Sequence, residues 1–370
     1  MSPLIMKTCE GFARFGFDVE LWIPRRVHAV LKDDPFAYHA IERIFSIRKI
    51  PVLDLMGILP GKLAFPLLVG SFAVALFFTA LFRMRKEAIL YFHDIRDTIP
   101  FFLSRNQKFL EVHDFYASGI GWINRAGFRR IMGFVVTNRF KMNELAERYG
   151  ISARRMLHQP NAVDILMFDI RESQEKARQI LNLPLERKII LYTGHLFGWK
   201  GVDALFDAHQ FLNKDEVIYF VGGTDEDIKK FKNKTEKLNV RNIVIAGRRP
   251  HAEIPLWLRA ADIVVLPNTA RDHASKFETS PVKLFEYMAS SRPIVASDLP
   301  SIRNVVNDDT VWFAEPDDPR AIAEAIRRIF ADAQGAARRV KTARREVLKY
   351  SWENRTRAIV HFIQGVSSET

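Results

Sequence analysis

Two glutamates, Glu278 and Glu286, stand in the stretch KFETSPVKLFEYMASSRPIVASD (276–298) with seven residues between them. Ser280 and Pro281 are types favoured at a helix N-cap and in a first helical turn. Glu278 is therefore expected in a loop and Glu286 inside a helix. Free backbone amides at residues 280–283 would lie between the two carboxylates. Amides that open a helix attract anions, phosphate most often, and Lys283 adds a cation beside them. The pattern suits a nucleotide sugar, with the diphosphate on the amides, one carboxylate toward the sugar and the other toward ribose hydroxyls. The same residues would also fit plain surface charges at a helix start, where acid is favoured in any case.

A second loop could do related chemistry. In YTGHLFGWKG (192–201) a glycine follows a strand and a lysine comes six residues later. Gly194, His195 and Lys200 are thus candidates for a loop that bends a cation toward a phosphate. His113, in EVHD, sits at the end of another strand-like run; a lone histidine there can be structural or can face a substrate. With one cysteine and no HExxH pattern, no metal-ligand set is expected.

These residues need elements to hold them. Strand-like runs at 18–24, 88–92, 109–113 and 133–138 alternate with helical patterns, among them 139–150, which closes on glycine. A second series follows: strands at 188–194, 216–223, 242–247, 262–267 and 293–297, with helices at 201–212, 225–239, 253–261 and 318–332. Repeated strand–helix–strand units imply parallel sheets covered by helices. The expected architecture is α/β, two Rossmann-like domains facing across a cleft and split near residue 165. Their bounds read 1–165, 166–349, and a last helical segment, 350–370, packing back toward the first domain. Ligands of such sheets lie beyond the carboxyl ends of the strands, where both loops fall.

The second half of the chain resembles the family-4 glycosyltransferases, retaining enzymes of GT-B architecture. The resemblance rests on YTGHLFGWKG, YFVGG, ADIVVLP, the E-x7-E stretch ETSPVKLFEYMASSRPIVASD and the closing YSWENRTRAIVHFI (350–363). It continues more weakly through EVHDF (111–115), YGI (149–151) and PNAVD (160–164). It implies Glu278 beside the donor sugar, Glu286 on the ribose, Lys200 on phosphate and His113 facing the transferred sugar. Gly194, His195, Thr279, Ser280, Pro281 and Lys283 complete the implied donor site. Family members often carry arginine where this chain has His195. The implied reaction moves a hexose-type sugar from a nucleoside-diphosphate sugar, without metal or other cofactor, to a glycan or lipid-linked acceptor. Family members open with a strand and a glycine-containing loop, whereas this chain begins on what resembles the following helix and second strand. A first strand is therefore expected to be missing from the first sheet. A non-catalytic relative acting as a scaffold, or a nucleotide-sugar epimerase or phosphorylase, remains open beside transfer.

Composition bounds the rest. The chain has 370 residues, is 48% hydrophobic and carries a formal charge of +12. That charge suits an anionic membrane surface or a phosphorylated substrate; no recognition motif for nucleic acid accompanies it. The single cysteine, Cys9, excludes an internal disulfide framework and points to a cytoplasmic setting. Lys7, Glu10 and Arg14 break the opening apolar residues, so no secretory signal is expected. Residues 63–82, LAFPLLVGSFAVALFFTALF, carry no charge and are flanked by Lys62, Arg83, Arg85 and Lys86. Length alone would let them span a membrane. A single crossing would part strands expected in one sheet, so the segment is read as monotopic membrane contact or as a buried packing helix.

Overall fold

The protein is described by a computed structural model covering residues 3–27, 34–39, 41–113 and 127–368. Asp114 and Phe115 of EVHDF lie outside the described residues. The fold is mixed α/β, and the chain forms two compact units, Met1–Gln159 with Trp352–Thr370, and Pro160–Ser351.

The first unit opens with a helix, Pro3–Arg14, and two strands, β1 (Glu20–Pro24) and β2 (Ser46–Ile50), paired in parallel. Four more strands follow: β3 (Leu90–Phe92), β4 (Lys108–Val112), β5 (Gly133–Val136) and β6 (Met156–His158). They form a separate parallel sheet in the order β3-β4-β5-β6. β1 and β3, expected in one sheet, are not: no pairing joins them among the described residues. A cavity of about 1530 Å³ lies between, lined by Phe12, Leu21, Trp22, Leu90, Tyr91 and Phe92 among others. Strands pair only when about 4.8 Å apart, and a groove of this size keeps the two edges open.

Helix Arg139–Tyr149 shows how local signals fix an element. Asn138 caps it, its side chain accepting from the Lys141 N–H, and Gly150 ends it at φ 66°, a left-handed conformation that glycine adopts at little cost. The last helix, Trp352–Ser368, belongs to the first unit and packs on helix Pro3–Arg14 and on β5. The boundary between units falls after Gln159 rather than after 165. Residues 160–165 are tied into the second unit, where the Asn161 N–H donates to Ser280 Oγ at 3.2 Å and the Val163 N–H donates to the Tyr350 carbonyl at 3.0 Å.

The second unit is one six-stranded parallel sheet: β7 (Lys188–Thr193), β8 (Glu216–Val221), β9 (Ile243–Gly247), β10 (Ile263–Leu266), β11 (Ile294–Ser297) and β12 (Trp312–Ala314). Their order is β12-β11-β10-β7-β8-β9. Alternate residues feed two cores: Ile189 and Leu191 pack with Leu258, Leu284 and Val347, while Ile190 and Tyr192 pack with Phe206, Phe231 and Ile326. Helices cover both faces, which is why these strands read as continuous apolar runs. The run Asp225-Glu226-Asp227 has a spacing seen in metal sites. Here it is the first turn of helix Asp225–Lys237, in a capping box where Thr224 and Asp227 satisfy each other's N–H groups.

Candidate functional site

The loops after β7 and β10 lie at the carboxyl ends of neighbouring strands in the second unit. β7 ends at Thr193, and Gly194 turns the chain at φ 118°. A Cβ there would lie 2.2 Å from Lys283 Cε, so only glycine lets the lysine pass over the backbone. After β10, a single π-helical turn, Ala274–Glu278, leads to helix Val282–Ala289. The Tyr287 hydroxyl ties this helix to β7 by accepting from the Thr193 N–H at 3.0 Å.

Lys283 is the centre of the arrangement. Its Nζ donates to the Tyr192 hydroxyl at 2.7 Å, and that hydroxyl donates to the His195 carbonyl at 2.6 Å. Burial, with Lys200 nearby, holds Lys283 well below the ordinary lysine range, against a pull from Glu286. Lys200 is itself pushed down by burial to about 8, and its Nζ sits 3.5 Å from the centre of the Trp199 ring. His195 is mostly exposed and stacked on Phe197, and partial burial together with Lys283 lowers its pKa. Among the described residues, no carboxylate forms an ion pair with either lysine. Asp272 pulls on Lys200 and Glu286 on Lys283 only at a distance; two amines so weakly compensated are costly as buried cations, and a polyanion beside them would relieve both.

Glu286 falls inside a helix as expected, but Glu278, expected in a loop, belongs to the π-helical turn before it. Glu286 lies inside the helix, 8% exposed, with Oε1 3.0 Å from His251 Nε2. Glu278 ends the π turn, with Oε1 3.0 Å from His273 Nδ1. The expected cap is corrected. Ser280 is buried and does not cap the helix; its Oγ and carbonyl accept from Asn161 N–H and Nδ2, at 3.2 and 2.6 Å. Pro281 stands at the N-cap position without a side-chain cap. A proline has no N–H, so of residues 280–283 it contributes no donor, and Val282 and Lys283 supply the amides that open the helix. Thr279 is half-buried at the bend between the two turns.

His113 belongs to the first unit, directly after β4. Its Nε2 lies 3.1 Å from Glu111 Oε1 and 3.1 Å from His93 Nδ1, and the two rings stack. Glu111 is fully buried: Arg355 Nη2 of the last helix donates to Oε1 at 2.5 Å and the Tyr91 hydroxyl donates to Oε2 at 2.7 Å. Arg355 and the histidines hold the Glu111 carboxyl well below its usual range against the penalty of burial. Burial pushes His93 down to about 4. The ligand atoms of His93, Glu111 and His113 lie within 4.8 Å of one another. A cation there would compete with the arginine already bound to Glu111.

Residues 173–346, within the second unit, match the family described as Glycosyl transferases group 1. Over 234 residues it is 25% identical to a protein described as a teichuronic acid biosynthesis glycosyltransferase, TuaC of Bacillus subtilis, covering 62% of this chain and 55% of that one. The chain thus spans about half the length of the curated relatives it matches. The fold matches that of sucrose-phosphate synthase from Thermosynechococcus elongatus with a TM-score of 0.78 at 20% identity, covering 99% of this chain and 93% of the other. It also matches Anabaena HepE, solved with UDP, with a TM-score of 0.74 at 18% identity, covering 98% and 96%. These neighbours have the GT-B fold, and two Rossmann-like units are the architecture observed here.

In the second unit the sequence offers the lysines and glutamates as candidates, but not the residues that hold them. Tyr192 was read only as a strand residue, and its hydroxyl is the partner of Lys283. His251 precedes a short helix and gave no signal; it reaches Glu286 across 35 residues of chain. Asn161, read as a loop residue, anchors Ser280 from 119 residues away. In the first unit, nothing in the spacing of Tyr91, His93, Glu111 and Arg355 announces that they meet.

Proposed function

We propose that the protein is a retaining glycosyltransferase that moves a hexose-type sugar from a nucleoside-diphosphate sugar to an envelope-polysaccharide or lipid-linked acceptor. The observation that carries this reading is the pair Lys200 and Lys283, desolvated, without a carboxylate ion pair, and beside the Val282 and Lys283 amides. A diphosphate would occupy that place, with Gly194 and His195 lining the loop and Thr279, Ser280 and Pro281 shaping the turn. When the bond to the anomeric carbon breaks, charge grows on the departing diphosphate. Lysines and amides already in position stabilise it without reorganising. This supply of positive charge is why the reaction is proposed to need no metal. Glu286, held by His251, is assigned to the ribose, and Glu278, held by His273, to the donor sugar. His113 is assigned to the transferred sugar, its Nε2 occupied by Glu111 so that Nδ1 is the nitrogen left for substrate. The name of TuaC supports an envelope polymer as the acceptor, and the proposed place of action is the cytoplasmic face of the membrane.

Binding tests the donor assignment. In the free protein burial pushes Lys200 down to about 8, and a bound diphosphate favours its charged form. UDP-, GDP- or ADP-sugar binding is therefore expected to take up protons near pH 8. Affinity should weaken as pH rises above about 8, by up to about tenfold per pH unit. Calorimetry in buffers of different ionisation heat reads the uptake. Glu286→Ala should weaken binding roughly 10- to 100-fold through lost charged hydrogen bonds. If no nucleotide sugar binds, the donor reading fails.

A further inference from the structure

The helix Gly61–Arg83 is built for a setting other than water. Its buried residues Ala64, Leu68, Leu76 and Ala80 fall on one narrow seam at intervals of four or eight, with half-buried Phe72 completing the row. That seam rests on β2 and on the 3₁₀ segment Ile95–Phe101. The remaining sides are apolar and open. Leu63, Phe65, Leu67, Val74, Phe77, Phe78, Leu81 and Phe82 are all exposed, Phe82 to 79%. A helix on a water-facing surface places polar residues opposite its seam, and contiguous apolar surface on this scale marks an interaction site. Leu53, Ile58 and Leu59, also exposed, extend the apolar surface before the helix.

Two observations select the occupant. The ends of the helix carry Lys62, Arg83, Arg85 and Lys86, opposed by Glu87 and by Asp18, which pairs with Arg85 at 3.2 Å. The charge is thus basic at both ends, about 34 Å apart at 1.5 Å per residue. In addition, Ile50 of β2, Leu76 and Ala80 of the helix, and Phe92 of β3 share one core. The chain before and after the helix therefore lies on the same side, and the helix cannot cross a bilayer without tearing that core. A helix lying in the plane of an interface meets both conditions. Its apolar sides enter the acyl boundary, and its basic ends meet anionic headgroups.

We infer that Gly61–Arg83 docks the protein on one leaflet of an anionic membrane, without spanning it. The inference uses none of the donor-site geometry, so the two stand or fall separately. Flotation of the full chain with vesicles is the test. Binding is expected to vesicles of phosphatidylcholine with phosphatidylglycerol, and to be about tenfold or more weaker for phosphatidylcholine alone. The variant Leu81→Asp, Phe82→Asp should lose vesicle binding by about a hundredfold or more while keeping its melting temperature and nucleotide binding. Unchanged flotation of that variant would overturn the inference. So would a dimer of the wild type that the same variant dissociates, because a second copy would then cover the helix.

Discussion

Lys200→Ala is expected to lower kcat/KM for sugar transfer by about 10²–10³, the range for removing one preorganised charge-stabilising donor. The free protein should lose no stability and is expected to gain some. Lys200 is a half-buried cation already pushed down to about 8, and it depresses its neighbour Lys283. Removing it relieves that repulsion. The combination of lost turnover and retained or raised melting temperature separates a residue selected for its ligand from one selected for the fold. Lys200→Arg supplies the complement: its charge persists at alkaline pH, so the decline in donor affinity above pH 8 should flatten. A less than fivefold loss in the alanine variant would remove Lys200 from the proposed machinery.

Arg355→Met is expected to destabilise the first unit by about 3–5 kcal/mol, the usual result of leaving one member of a buried ion pair alone. Arg355 is 1% exposed and Glu111 is not exposed at all, so water cannot take over from the lost partner. Adding Glu111→Gln should recover much of the loss, since the stranded charge disappears. Urea unfolding followed on the first unit reads both effects, and equal stability of the two variants would rule out the pair as the cause. The same network makes the unit sensitive to acid. His93 titrates near 4 in the folded unit and near 6.5 when unfolded. Between those values only the unfolded chain takes up the proton, so stability falls as pH drops from 6.5 to 4, by up to about 3 kcal/mol. Glu111, whose carboxyl is depressed, adds to the loss on its protonation at lower pH. His93→Asn should flatten the first part of that profile.

The sequence reading succeeded where one segment contains its own instructions. The apolar runs of β7, β8 and β10, the Asn138 cap with the Gly150 stop, and the placement of Glu278 before and Glu286 within a helix all depend on residues a few positions apart. It failed at Ser280 because an N-cap signature is local, whereas the partner that claims this hydroxyl is Asn161. It overlooked that proline at 281 offers no N–H. β6 was passed over because three residues, Met156–His158, are too few to show a period.

The apolar helix illustrates the division most sharply. Twenty uncharged residues with basic flanks are plain in the sequence, and composition by itself marks them as ill suited to a helix surrounded by water. Only the tertiary structure decided that a seam of every fourth residue is packed, that the other sides stay open, and that both chain ends return to one core. The same holds for the chemistry. Sequence determined which charged groups exist, and roughly which strand ends carry them, because periodicity and turn residues act over a single element. Tertiary structure decided that Lys283 passes over Gly194 onto Tyr192, that Arg355 meets Glu111 across 244 residues, and that β1 and β3 stand apart around a groove. Those contacts arise when sheets close and helices dock. Their energies depend on burial and distance, which no local pattern encodes.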